Sequence, residues 1–148
     1  MELSDSLQDY IETVYLLSRR TGYARSRDIS RALNVSRPSV NAALKNLAAL
    51  KLVAHEHYGD IRLTPSGKTV GARVAELHFF LKDFFVSVLG LDGDEAGNDA
   101  CRIEHAIGRK ALRNLKLLAE YLRTARGGAL KAEVLAFIRK KNSRKERA

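Results

Sequence analysis

SRDISRALNVSRPSVNAALKNLAAL, residues 26–50, carries the pattern that decides the fold. Arg27 to Leu33 reads as a short helix with Ser26 as its N-cap, where a hydroxyl can satisfy an orphaned backbone N–H. Asn34-Val35 makes a tight turn, and Ser36 caps a further helix that runs to about Leu50. Pro38 falls early in its first turn, where a missing N–H does little harm. Val40, Ala43, Leu44 and Leu47 recur at helical spacing and form a buried stripe. Two helices joined by so short a turn make a helix-turn-helix, whose second helix can lie in a DNA major groove. With the stripe inward, Arg37, Ser39, Asn41, Ala42 and Lys45 face outward, and Ser36 and Pro38 stand at the entry of the same surface. That set is small and polar enough to approach base edges, with Asn41 able to pair with adenine and Arg37 with guanine or phosphate.

Working outward, Leu7, Ile11, Val14, Tyr15 and Leu17 fall near helical spacing and predict a first helix from about Ser4 to Arg20, stopped by Thr21-Gly22. On the other side, Leu52 to Tyr58 and Ile61 to Leu63 flank Gly59-Asp60 as a β-hairpin. Three helices followed by a hairpin form a winged helix-turn-helix. Arg25 and Arg27 are placed for phosphate contacts, and His57 and Arg62 for the adjacent minor groove. His55 and His57 share a strand face and read as wing surface rather than as a chelating pair. Winged helices also serve as protein-interaction modules, which is the competing reading of this half.

Thr64-Pro65 opens a long helix, Ser66 to about Leu89. Its second half holds Leu77, Phe79, Phe80, Leu81, Phe84, Phe85, Val86, Val88 and Leu89, apolar on more than one face. Such a helix must be buried on more than one face, and a partner subunit supplies the cover in so short a chain. After a break at Gly90 to Gly93, helices are expected at about Asp94 to Ile107, Arg109 to Arg123, and Ala129 to Lys140 beyond Gly127-Gly128. The fold class is therefore mainly α, with a DNA-binding domain over residues 1–71 and an all-helical domain over residues 72–148.

Composition bounds the partners. Of 148 residues, 45% are hydrophobic and 29% charged, which fits a folded globular chain. No apolar run reaches about 18 residues, so no membrane partner is expected. The acidic, polar opening lacks the features of a secretory signal, and the single Cys101 cannot form an internal disulfide; a cytoplasmic setting follows as the expectation. The net charge of +9 favours a polyanion, nucleic acid above all, and no small organic substrate is indicated. Residues 1–71 carry ten Lys/Arg against seven Asp/Glu, and the remainder sixteen against ten. The tail from Arg139 to Arg147, six basic residues with one acidic, is either a solvated end or an auxiliary phosphate contact.

Cys101, Glu104 and His105 stand at i, i+3 and i+4, on one face of one helix. Thiolate, carboxylate and imidazole are the main protein ligand types for transition metals. The alternative is a buried thiol beside a surface Glu-His pair. Asp9 and Glu12 form a second i, i+3 pair at the edge of the first helix's stripe, and His78 sits in the apolar half of the long helix, where a lone histidine is ordinarily a satisfied core residue. Three candidate groups on three helices favour a shared cation.

At this point several segments resemble one family. Leu7 to Tyr15, LQDYIETVY, is similar to the opening of the diphtheria toxin repressor family, in particular its short manganese-transport-regulator branch. Asp28-Ile29 to Leu33 with Val35 to Val40 resembles its helix-turn-helix, Leu63 to Gly67 its exit from the wing, and Asp99 to His105 its metal helix. The resemblance covers about Ser4 to Tyr121, with the motifs in order and in register. It implies metal ligands at Asp9, Glu12, His78, Cys101, Glu104 and His105, a homodimer built on the C-terminal helices, an operator in double-stranded DNA, and repression that depends on Mn²⁺ or Fe²⁺, with Zn²⁺ or Co²⁺ binding in vitro. It further implies that the third, SH3-like domain of longer members is absent, since no β-rich segment follows Tyr121.

Two departures bear on the metal. The manganese branch typically has a carboxylate where Cys101 stands, and the iron branch a methionine where Asp9 stands, so the ligand set is a hybrid. Asp9 and Glu12 suit hard Mn²⁺; Cys101 and the histidines suit Fe²⁺, Co²⁺ or Zn²⁺. Lys82 occupies the place of a carboxylate that an accessory site would need. Asp9, Glu12, Glu104 and a Cys101 thiolate bring about four negative charges to a divalent ion, so one or two cations per subunit are compatible with the set. A rival reading makes Cys101 a redox sensor within the same winged-helix regulator. An enzyme with Cys101 and His105 as nucleophile and base is set aside, because no glycine-rich oxyanion loop accompanies them.

Overall fold

The computed structural model describes residues 3–55 and 59–145. His57, expected on the wing, lies outside the described residues. The chain divides after Glu76 into two compact units, Met1–Glu76 and Leu77–Ala148.

The first unit opens with α1 (Asp5–Thr21), capped by Ser4, whose hydroxyl accepts from the Leu7 N–H, and closed by Gly22 in the left-handed region, whose N–H donates to Ser18 O. A two-residue strand β1 (Ala24–Arg25) precedes α2 (Ser26–Leu33) and α3 (Arg37–Ala49). Strands β2 (Val53–His55) and β3 (Asp60–Leu63) follow, and α4 (Pro65–Phe84) begins directly after them. The sheet order is β1-β3-β2, antiparallel throughout, with Ala24 opposite Ile61 and Val53 opposite Leu63. The sequence pattern does not disclose β1: two residues show no alternation, and only the ladder with β3 makes them a strand.

Ile11, Val14, Ile29, Val40, Leu44, Leu47 and Ile61 are fully buried here, so α1, α2, α3 and the sheet close on one core. The outward and inward faces of α3 are those its periodicity predicts. Ser26 is not a cap, however. It is the first residue of α2, and Arg25 occupies the cap position without a side-chain bond to the helix's N–H groups, because β1 holds the backbone up to that point. Thr64 joins wing to helix: its hydroxyl donates to Lys51 O at 2.7 Å and accepts from the Gly67 N–H at 3.0 Å. Gly67 must be small, since a Cβ there would lie 1.9 Å from the Leu52 carbonyl oxygen.

The second unit holds the end of α4, α5 (Gly93–Glu104), α6 (Arg109–Leu122) and α7 (Ala125–Lys145) around Leu81, Phe84, Phe85, Val88, Ala96, Ala100 and Leu122. The long helix does not stay α to Leu89. Its last turn, Phe85–Leu89, widens to π geometry, and Phe85 O accepts from the N–H groups of Gly90 and Leu91. α5 stops at Glu104 rather than Ile107, with His105 at the cap position. α7 starts four residues earlier than expected and runs through Gly127 and Gly128. Gly127 permits close approach: a Cβ there would sit 2.1 Å from Tyr121 O. Thr124 caps the turn, accepting from the Gly127 N–H at 3.1 Å and donating to Tyr121 O at 2.7 Å.

Candidate metal centre and nucleic-acid face

In the second unit, α5 brings Cys101, Glu104 and His105 to one end of the helix, and α4 brings His78 against it. Glu104 is the centre of the group, its side chain only 1% exposed. His78 Nδ1 lies 3.0 Å from Glu104 Oε2, and His105 Nε2 lies 3.4 Å from Glu104 Oε1. Glu104 Oε1 itself accepts no hydrogen bond. A buried carboxylate between two imidazoles is expensive as an isolated anion and is stabilised by a cation or by a proton held on an imidazole. The arrangement therefore fits a divalent metal: three donors of suitable type, one with an oxygen in hand, converge in a buried place. His78 is half-buried, bonded to Glu104, and in edge contact with the Phe79 ring at 5.9 Å.

Cys101 is exposed, against the expectation that a thiol without metal would be buried. It lines a cleft with His78, Lys82, Asp94, Gly97 and Asn98, and Lys82 lies across Gly97, where a Cβ would be 3.3 Å from its Nζ. Asp9 and Glu12 belong to α1 of the first unit, Asp9 half-buried and Glu12 buried. At the start of α5, the Asp92 carboxylate caps the helix and is held below its ordinary pKa by the N–H groups of Glu95 and Asp94.

In the first unit, α3 presents Arg37, Pro38, Ser39, Asn41 and Lys45, all exposed, while Val40, Ala43, Leu44 and Leu47 turn inward. Ser36 Oγ accepts from the Ser39 N–H at 3.3 Å and lies 2.8 Å from Ser39 Oγ, so these two hydroxyls shape the helix start together. Asn41 Oδ1 accepts from Ser26 Oγ at 3.4 Å, linking α3 to the first turn of α2. Arg25, Arg27 and Arg62 are exposed as expected, and the ion-pair partners of Arg25 and Arg27 were not revealed by the sequence pattern. Arg27 pairs with Asp28 at 3.2 Å, and Arg25 Nε with Asp60 Oδ1 at 3.2 Å. The bond to Asp60, then the neighbouring Tyr23, holds the Arg25 guanidinium above its ordinary pKa. Arg25–Asp60 spans 35 residues and follows from strand register, which no local pattern could have shown.

Helix-turn-helix and wing define a winged-helix protein, and the imidazole–carboxylate cluster gives its helical unit donors of the type that hold metals. Comparison with known proteins agrees and narrows the class. Residues 2–61 match the family described as iron dependent repressor, N-terminal DNA binding domain, and residues 64–129 match iron dependent repressor, metal binding and dimerisation domain. The chain is 32% identical over 141 residues to the HTH-type transcriptional regulator MntR of Geobacillus thermodenitrificans, covering 95% of this chain and 97% of that protein. The crystal structure of T. acidophilum IdeR superimposes with a TM-score of 0.70 at 27% identity, covering 81% of this chain and 55% of that one. ScaR with bound Zn²⁺ gives 0.63 at 25% identity over 78% and 54%. The chain thus spans about half the length of these solved chains and nearly all of the Geobacillus regulator. It belongs to the iron-dependent repressor family, the diphtheria toxin repressor and manganese regulator group, whose members are metal-dependent transcriptional repressors rather than enzymes.

Proposed function

We propose that this protein is a homodimeric repressor that binds operator DNA when loaded with Mn²⁺ or Fe²⁺ and so controls metal-ion homeostasis. The observation that carries the metal dependence is the buried Glu104 carboxylate between His78 and His105, with one oxygen not hydrogen-bonded. Cys101 completes the set in the helical unit, and Asp9 and Glu12 of α1 are the ligands from the DNA-binding unit. The bound ion supplies positive charge to a cluster that otherwise concentrates carboxylates and thiol. Zn²⁺ and Co²⁺ suit the same donors in vitro.

DNA is contacted by α3 through Ser36, Arg37, Pro38, Ser39, Asn41 and Lys45, with Arg25, Arg27 and Arg62 on phosphates and the wing side. Two recognition helices of a dimer must match half-sites about 34 Å apart or a multiple of it. Ligands contributed by both units let the cation fix the spacing of the helices, so metal and DNA strengthen each other's binding by one factor. Support for the dimer comes from the apolar residues the helical unit leaves exposed, Phe79, Val86, Leu117, Leu130 and Phe137 among them, and from the dimerisation domain of its family.

The test is an anaerobic titration of Mn²⁺, Fe²⁺, Co²⁺ and Zn²⁺, read out as affinity for a duplex selected from a random-sequence pool by the metal-loaded protein. The proposal expects duplex affinity to rise with one of these ions; equal affinity with and without every ion overturns it. The exposure of Cys101 favours one rival, a redox sensor. Cys101→Glu separates them: a metal sensor keeps its response to Mn²⁺, and a thiol switch loses its response altogether.

A further inference from the structure

We propose that Tyr23 is a positioning residue that holds Arg25 and Arg62 as a paired phosphate contact at the base of the wing; this rests on the DNA-binding reading above and extends it to a residue outside the helix-turn-helix. Tyr23 precedes β1 and is half-buried. The Arg25 guanidinium carbon lies 5.2 Å from its ring centroid and that of Arg62 lies 5.9 Å away. The two arginines reach the ring from β1 and β3, which pair with Arg25 opposite Asp60. Arg25 also donates from Nη2 to Tyr23 Oη at 3.4 Å and from Nε to Asp60 Oδ1 at 3.2 Å. Arg62 Nη1 passes beside Gly22, 3.6 Å from where a Cβ would stand, an ordinary van der Waals distance.

Two guanidinium groups near one ring repel each other. The ring's negative face and the Asp60 carboxylate offset that repulsion. The result is a pair of planar cations ordered before any ligand arrives, with the Arg25 side chain 53% exposed and Asp60 only 20%. Ordering long side chains in advance removes part of the entropy lost on binding. Guanidinium forks suit phosphate oxygens, and the backbone of a duplex is the polyanion this half of the chain meets. Tyr23 therefore acts through the arginines and touches no DNA itself.

The experiment measures binding of the Mn²⁺-loaded full chain to a mixed-sequence duplex as a function of salt. The slope of log affinity against log salt changes by about 0.9 for each phosphate contact. Arg25→Gln and Arg62→Gln should each flatten the slope by about 0.9. Tyr23→Leu, which removes no charge, should flatten it by up to about 1.8, while Tyr23→Phe keeps the ring and the wild-type slope. In the Tyr23→Leu background, Arg62→Gln should change the slope little further. A brace that is only structural would lower the melting temperature of Tyr23→Leu and leave its slope at the wild-type value, which overturns the proposal. If Tyr23→Leu does not fold, wild-type slopes in both exposed arginine variants overturn it equally. Failure of the DNA-binding reading looks different: the wild-type chain itself then binds no duplex at any salt.

Discussion

The two units handle their apolar residues differently. In the first, helices and sheet surround one core, and of the large apolar side chains exposed among the described residues only Leu16 belongs to it. In the second, Phe79, Val86, Leu89, Ile103, Leu117, Leu118, Tyr121, Leu130, Val134 and Phe137 all stay exposed. Beside its own buried apolar cluster it also holds the buried Glu104 carboxylate, with two part-buried histidines against it. A core closed by its own chain makes a unit sufficient by itself. A unit with a buried carboxylate beside its core and uncovered apolar faces is completed from outside, by a cation and by a second subunit in the function proposed above.

This contrast can be broken at several points. The largest effect should come from Leu44→Ala in the self-sufficient unit, where a fully buried side chain is lost. Urea unfolding should register about 2–5 kcal/mol of destabilisation, with or without metal. Next, Mn²⁺ at about one hundred times its Kd should stabilise the wild type by about 2.7 kcal/mol in thermal melts. Glu104→Gln, which keeps the shape of the side chain and removes its charge, should abolish that gain; an undiminished shift would remove Glu104 from the site. Gly127→Ala comes third. It forces the α6–α7 junction apart and should reduce stability by about 1–3 kcal/mol, read in the same melts. The smallest effect on folding, within about 0.5 kcal/mol, is expected for Phe137→Ser, because the ring is 62% exposed. The same variant should shift sedimentation equilibrium toward monomer. An unchanged association constant would show that this part of the exposed face is not the dimer contact.

The legible part of the fold was the part written in local spacing. The stripe Val40, Ala43, Leu44 and Leu47, the Ser36 cap and the tight Asn34-Val35 turn gave the helix-turn-helix its limits to within a residue or two. Reading stopped where a residue's conformation answers to something distant. Ser26 has a good capping side chain, but β1 carries the chain past that position. Gly127 and Gly128 look like a helix stop, yet α7 runs through both, and Gly127 lets it pass against the Tyr121 carbonyl. The π turn at Phe85–Leu89 leaves no trace in a run, FVSVL, that reads as ordinary helix from its sequence.

The same division holds for the sites. Sequence alone determined which residues are competent: the i, i+3, i+4 set on α5, the outward face of α3 and the basic balance all follow from the period of a helix and the chemistry of side chains. Only tertiary structure decided which of them meet. His78 reaches Glu104 across 26 residues and Arg25 reaches Asp60 across 35, because packing of α4 on α5 and the register of β1 on β3 bring them together. A helical period fixes neighbours one turn away, whereas the partner of a buried charge is set by which elements must share a core.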